Sequence, residues 1–255
     1  MKMQLYKLRI ILISIFLLAA CSDEFIDNDT INETQQINVL SQQEIDDGWQ
    51  LLFDGESTEH WRSYNSDSFP EIGWSVQDGS LFFEPEEMDG AEGGQNIITI
   101  EKFENFHLKL EWKIEEGSNS GIFYGVLEQE EIDIYWSGME YQIIDNNIFS
   151  EITPQSVKRL SGSLYDLVPA EPQNMHPVGE WNTTEIIIDN SNIIHRQNGV
   201  TVVELERWTP EWFEMIRNSK FESHNEFGNI RNGHIGIQDH GGPVMVRNIK
   251  IKNLN

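Results

Sequence analysis

The chain has 255 residues, 17 Lys and Arg against 43 Asp and Glu, and a formal charge of −26. An excess of that size repels phosphate backbones and anionic lipid, which argues against nucleic acid as a partner and against docking on a membrane through basic patches. The single cysteine rules out a disulfide within the chain.

Taken in order, the first element is an export signal. Lys2, Lys7 and Arg9 form a basic start, followed by the apolar run Ile10 to Leu18, broken by Ser14. The run falls short of the roughly 20 residues a membrane span needs and has the layout of a secretory signal. It ends in Leu18-Ala19-Ala20-Cys21, small residues before a cysteine suited to lipidation. Residues 1–20 are expected to be a lipoprotein signal peptide and Cys21 the acyl anchor. The protein is then exported and held at the cell envelope, on the outer membrane facing periplasm or surface, with the lipid as its one membrane contact. Loss of residues 1–20 takes the charge to −29.

Residues 21–45 are rich in Asp, Glu, Asn, Gln and Thr without a sustained apolar period, and read as an acidic, flexible tether. Residues 46–255 then form one β-domain. The clearest strand is Phe106 to Ile114, where Leu108, Leu110, Trp112 and Ile114 alternate with charged or polar residues. Others are Ile97 to Ile100, Gly121 to Val126, Met139 to Ile144, Thr184 to Asp189, Ile193 to Gln197, Thr201 to Leu205, His234 to Gln238 and Val244 to Lys252. Asp78-Gly79 and Asn198-Gly199 mark tight hairpin turns. One helix interrupts the strands: Thr209 is its N-cap, Pro210 its first residue, and it runs to about Ser219. Many short strands with one helical excursion predict an all-β sandwich.

Blocks spread through this domain carry a family resemblance. They include Gly48-Trp49-Gln50-Leu51-Leu52-Phe53-Asp54-Gly55, Trp74-Ser75-Val76-Gln77-Asp78-Gly79, Asn119-Ser120-Gly121-Ile122-Phe123, Glu140-Tyr141-Gln142-Ile143-Ile144-Asp145, Ser161-Gly162-Ser163-Leu164-Tyr165 and Gly233-His234-Ile235-Gly236-Ile237-Gln238-Asp239-His240-Gly241. In order and spacing the chain resembles the 3-keto-disaccharide hydrolase family. That resemblance implies a concanavalin A-like jelly-roll sandwich and cleavage of 3-keto-glycosides, with a carbohydrate as substrate. One departure is visible: the family usually places an Arg near Gly125, and this chain has none there.

A 3-keto group acidifies the neighbouring C2 proton, because the carbanion delocalises onto the ketone oxygen. The enolate can expel the aglycone from C1, and water then adds across the double bond. Such a site needs a base near neutral pKa, stabilisation of the enolate oxygen and a proton donor for the leaving group. Strand parity selects candidates. Glu140 and Gln142 lie opposite Tyr141 and Ile143, while Gln238 and His240 lie opposite Ile235 and Ile237 if that strand stays regular. Together they would make a polar, saccharide-sized cleft. His240 is the first choice of base, with Glu140 the second, as acid/base or as a metal ligand.

Asn119 fits either substrate contact or a turn. Arg247, read on one face with Met245 and Ile249, fits either substrate contact or an ion pair. Asp145 and Asp239 read as turn residues able to ligate a cation, so a divalent metal on Glu140, Asp145 or Asp239 is open. His195 reads as a packed histidine. Trp49, Trp61, Trp74 and Trp112 fall in apolar patterns and belong to the core, whereas one of Trp136, Trp208 and Trp212 is expected to line the cleft. Glu131-Ile132-Asp133-Ile134 looks like the start of a laminarinase-type strand, but Tyr135 and Trp136 stand where the second catalytic Glu would be. A non-catalytic, lectin-like binding module remains the alternative to an enzyme.

Overall fold

The computed structural model describes residues 37–85 and 95–254; the export signal, Cys21 and the tether up to residue 36 lie outside them. Among the described residues, thirteen strands pair into two antiparallel sheets. The larger holds β1 (Trp49–Leu51), β3 (Trp74–Gln77), β4 (Ser80–Phe83), β6 (Phe106–Ile114), β9 (Asn182–Asp189), β10 (Asn192–Gln197), β11 (Val200–Glu206) and β13 (Val244–Asn253). The smaller holds β2 (Trp61–Ser63), β5 (Ile97–Thr99), β7 (Asn119–Val126), β8 (Met139–Ile144) and β12 (His234–Ile237), in the order β2-β5-β12-β7-β8. This is the predicted β-sandwich.

Its core is filled by alternate residues of both sheets. Leu108, Leu110, Trp112, Ile186 and Val246 enter from the larger sheet, and Ile97, Ile122, Tyr124, Tyr141, Ile143 and Ile237 from the smaller. Each full burial of a large apolar side chain contributes about 1.5–3 kcal/mol. Trp61, Trp74 and Trp112 lie in the core as expected, whereas Trp49, also buried, packs against His107 and Lys109 on the outer face of the larger sheet. The Trp112 indole N–H reaches the Thr184 hydroxyl at 2.9 Å, so the ring enters the core without an orphaned donor. His195 is buried between Tyr124, whose hydroxyl meets Nε2 at 2.9 Å, and the Gly162 carbonyl at Nδ1; burial pushes its pKa down to about 4. It is a neutral core histidine.

Both hairpins form where the Asp-Gly and Asn-Gly pairs predict. Asp78 and Gly79, and Asn198 and Gly199, all have left-handed φ values, as a type I′ turn demands. The helix α2 (Pro210–Arg217) starts as predicted, with the Thr209 hydroxyl accepting from the Trp212 N–H. It ends at Arg217, slightly earlier than expected, and Trp212 is sealed into the core.

Two expectations need correction. The folded part begins before the tether was expected to end. Ser41 and Glu44 form a capping box on the short helix α1 (Gln42–Asp46), Glu44 pairs with Lys250 at 2.9 Å, and buried Asn38 exchanges hydrogen bonds with Asn248. Second, Arg247 and Ile249 are not on one face. Asn248 takes a left-handed φ of +52° at a bulge in the β13–β6 pairing, which turns Ile249 into the core beside Val246.

Candidate active site

With Tyr141 and Ile143 committed to the core, β8 must present Glu140 and Gln142 on the opposite face of the smaller sheet. In β7, Ile122 and Tyr124 likewise leave Asn119, Gly121 and Phe123 facing outward. The register sets Gly121 opposite Gln142 and Phe123 opposite Glu140. Gly121 is needed as glycine, because a Cβ there would collide with the Glu140 carboxyl, which lies across it. The β12 strand stops at Ile237, but the Gln238 N–H still reaches the Gly121 carbonyl at 2.9 Å, and the chain pairs again where Gly241 meets Asn119. The irregular stretch between turns Gln238, Asp239 and His240 toward the same cleft, the first two buried and His240 exposed.

These residues line one cleft of about 700 Å³. Asn119, Glu140, Gln142, Gln238, Asp239 and His240 all contribute to it. The other walls come from outside the smaller sheet. Asp133, Tyr135 and Trp136 belong to the loop before β8, Tyr165 to a segment bonded to the edge of β8, Lys220 follows α2, and Phe83, Pro85 and Asn96 complete the rim. Trp136 is thus the tryptophan of the three that lines the cleft, stacked on His224 with ring centroids 3.8 Å apart. Trp212 is in the core, and Trp208 is held by its indole N–H on the Gly228 carbonyl.

The electrostatics set these groups apart. Glu140 is only 6% exposed, and no hydrogen bond reaches its carboxyl among the described residues. Burial pushes its pKa up to about 8, against the pull of the Lys220 ammonium. Burial also raises Asp239 to about 7, and its Oδ2 has no partner. His240, exposed at the rim, is moved the other way: partial desolvation, then the Lys220 charge, hold it below the ordinary histidine value. Lys220 itself is lowered by desolvation, opposed by Asp166 and Glu140. Its ammonium sits 4.4 Å from the centre of the Tyr165 ring.

Three polar groups form a chain along the floor. The Gln142 amide lies 3.0 Å from Asn119 Oδ1, and the Asn119 amide nitrogen lies 3.1 Å from His240 Nδ1. Its direction is set by the amides together. With Asn119 N–H donating, neutral His240 carries its proton on Nε2; with both amides turned, Nδ1–H donates to Asn119 and Nε2 is free as a base.

Two sequence candidates stand outside the cleft. Asp145 accepts from the backbone N–H groups of Asn147 and Gly117, at 2.9 and 3.0 Å, and serves as a turn anchor. It does not line the cleft, and this is the turn role that its sequence position also allowed. Arg247 donates to Glu111 at 2.8 Å and covers the Trp181 ring at 3.7 Å, the ion-pair arrangement of the two that the sequence allowed, and it does not line the cleft. Glu131 is a left-handed turn residue, and the segment that looked like a laminarinase strand is a loop entering a 3-10 turn, Ile134–Trp136. Sequence reading missed Lys220, Tyr165, Asp133, Tyr135 and Asn96, which parity cannot reach because none lies on a strand. The only available signal was the Ser161 to Tyr165 block.

Comparison with known proteins gives a consistent picture. Residues 48–252 match the family model described as a 3-keto-alpha-glucoside-1,2-lyase-like domain. A protein named 3-keto-disaccharide hydrolase, from Bacteroides thetaiotaomicron, is 38% identical over 233 residues, covering 82% of this chain and 79% of that one. A crystal structure assigned to the glycosyl hydrolases, from Parabacteroides distasonis, superposes with a TM-score of 0.78 at 28% identity, covering 86% of this chain and all of the other. A second such structure from the same organism gives 0.61 at 26%, covering 81% of this chain and 99% of the other.

Proposed function

Because the chain belongs to the 3-keto-alpha-glucoside-1,2-lyase-like family, a family of glycoside-cleaving enzymes, we propose that it cleaves 3-keto-glycosides by elimination followed by hydration. The observation that carries this reading is the pair of opposed shifts in one cleft. Glu140 is raised to about 8 and His240 is lowered, so near pH 7 the carboxyl is protonated and the imidazole is neutral.

In this reading neutral His240 takes the C2 proton, with Nδ1–H held by the Asn119 carbonyl. The electron pair moves into the C2–C3 bond and charge gathers on the ketone oxygen. Lys220 is the cation best placed to stabilise it, since it lines the same cleft as Glu140 and His240. Collapse of the enolate breaks the C1–O bond, and protonated Glu140 gives its proton to the departing oxygen. Water then adds its hydroxyl to C1 and a proton to C2, so the net change is hydrolysis. Asn119, Gln142 and Gln238 present amides to the sugar hydroxyls. The reaction needs no pair of carboxylates about 5 Å apart, as a retaining glycosidase would.

The test is aglycone release from a 3-keto-glucoside beside the matching unoxidised glucoside, with and without a chelator. Release from the ketone alone is expected; equal rates on both would remove the elimination. Loss of the rate with chelator, and its return with a divalent ion, would assign Glu140 and Asp239 to a metal.

The export signal and Cys21 support a place at the cell envelope, anchored by lipid. Cys21→Ser is expected to move the protein out of the membrane fraction with its domain still folded. Full retention on membranes after signal cleavage would contradict the anchor.

A further inference from the structure

We propose that a second hollow beside the cleft binds an anionic group carried by the substrate, a carboxylate or a sulfate on its leaving portion. This rests on the reading above only in taking the neighbouring cleft as the glycoside site. The hollow has a volume of about 360 Å³, and Lys158, Arg159 and Lys220 line it together with Asp166.

Its lining sets three cations against one carboxylate. Asp166 is buried and its Oδ1 is taken: the Arg159 Nε–H donates to it at 2.8 Å, and the Gln155 amide donates to the same atom. That leaves Lys158 and Lys220, and among the described residues neither ammonium has a carboxylate within 4 Å. In a chain with 43 acidic and 17 basic residues, two lysines without a carboxylate partner over one hollow make it locally positive. A ligand that brings negative charge offsets these ammonium groups, and the acidic surface around them makes the contrast in local field steep.

The hollow is also continuous with the cleft. Lys220 lines both. Tyr165 is a cleft wall, while the next residues, Asp166 and Leu167, line the hollow. The Tyr165 ring has the Lys220 ammonium 4.4 Å and the Arg159 guanidinium 5.7 Å from its centre. A substrate whose sugar occupies the cleft and whose leaving portion crosses Tyr165 brings that portion to Lys158.

Equilibrium binding of three probes to the full chain tests this: phenyl glucoside, its 4-carboxyphenyl analogue and its 4-sulfate ester. An anionic probe is expected to bind about fivefold tighter than the neutral one, the scale of two solvent-exposed ion pairs, and added salt should erode the gain. Lys158→Gln, outside the cleft, should remove most of the gain and leave the neutral probe within twofold. A gain with the carboxylate alone, the sulfate alone or both supports the proposal and names the anion.

No gain with either overturns it, as does a gain that Lys158→Gln leaves intact or the absence of any anionic binding at millimolar probe. Because binding is read without turnover, an anionic gain without ketone-dependent release would sink the elimination chemistry and keep this proposal.

Discussion

Two polar surfaces of the sandwich invite comparison, the outer face of the larger sheet and the cleft face of the smaller. On the first, the charges are matched. Glu111 accepts from Arg247 and from the Asn248 amide, Glu185 meets His107 at 2.6 Å with Arg196 nearby, Glu44 holds Lys250, and Lys109 and Lys113 lie over Trp49 and Trp181. On the second, among the described residues, no hydrogen bond reaches the Glu140 carboxyl, and Gln142 Oε1, Gln238 Oε1 and Asp239 Oδ2 are buried without a partner. The far end of the same smaller-sheet face is matched again, where Arg62 forks onto Glu128 at 2.6 and 2.7 Å.

A buried polar atom left without a partner costs about 1–3 kcal/mol. Among the described residues six buried side-chain atoms lack one: those on Gln142, Gln238 and Asp239 belong to the cleft, where a sugar would supply the missing bonds, and those on Tyr141, Gln197 and Arg207 lie outside it.

The largest effect expected is on the two cleft residues assigned to proton transfer. His240→Ala and Glu140→Gln should each lower turnover of a 3-keto-glucoside by roughly 10²–10⁴-fold, as loss of a positioned acid or base does, with circular dichroism and thermal midpoint little changed. Near-native turnover in folded His240→Ala would reduce that residue to a rim contact.

Gly121→Ala should come next. The new methyl pushes the Glu140 carboxyl out of its place, and a displacement of about 1 Å can cost on the order of 10²-fold. Ketone-dependent turnover should fall while the folded sandwich persists; native turnover would mean that the position of this carboxyl does not matter.

Arg247→Met should be the smallest in activity, within about twofold, and should lower stability by about 1 kcal/mol, because the partly exposed Arg247–Glu111 pair is modest. Denaturant unfolding and turnover measured on the same sample separate the two. A large loss of turnover would return Arg247 to the substrate.

How much of the fold and site is legible in the sequence follows the length of each pattern. Phe106–Ile114 and Met139–Ile144 alternate long enough to declare their faces, so parity alone sets Glu140 and Gln142 opposite Tyr141 and Ile143. Strands β1, β2 and β5 have three residues each, too few for a period to appear. His240 reaches the cleft for a reason other than regular alternation, since β12 has already ended at Ile237. Parity misplaces Ile249 relative to Arg247 because one left-handed residue, Asn248, resets the alternation after it. Lys220 and Tyr165 arrive on excursions whose position depends on how α2 and the 160–168 segment pack, and local pattern carries no trace of that. The end of the tether rests on composition alone, which is blind to Asn38 fastening to Asn248 some 210 residues away.

The most direct test is the pH dependence of ketone-dependent turnover in the native protein and in Glu140→Gln. The proposed roles need Glu140 protonated and His240 neutral. Turnover should therefore fall as pH rises through about 8, where Glu140 loses its proton, and fall again as pH drops below the lowered value of His240. Glu140→Gln should lose the alkaline limb and keep the acid one in its residual rate. An alkaline limb that stays at about 8 without Glu140 would contradict the account.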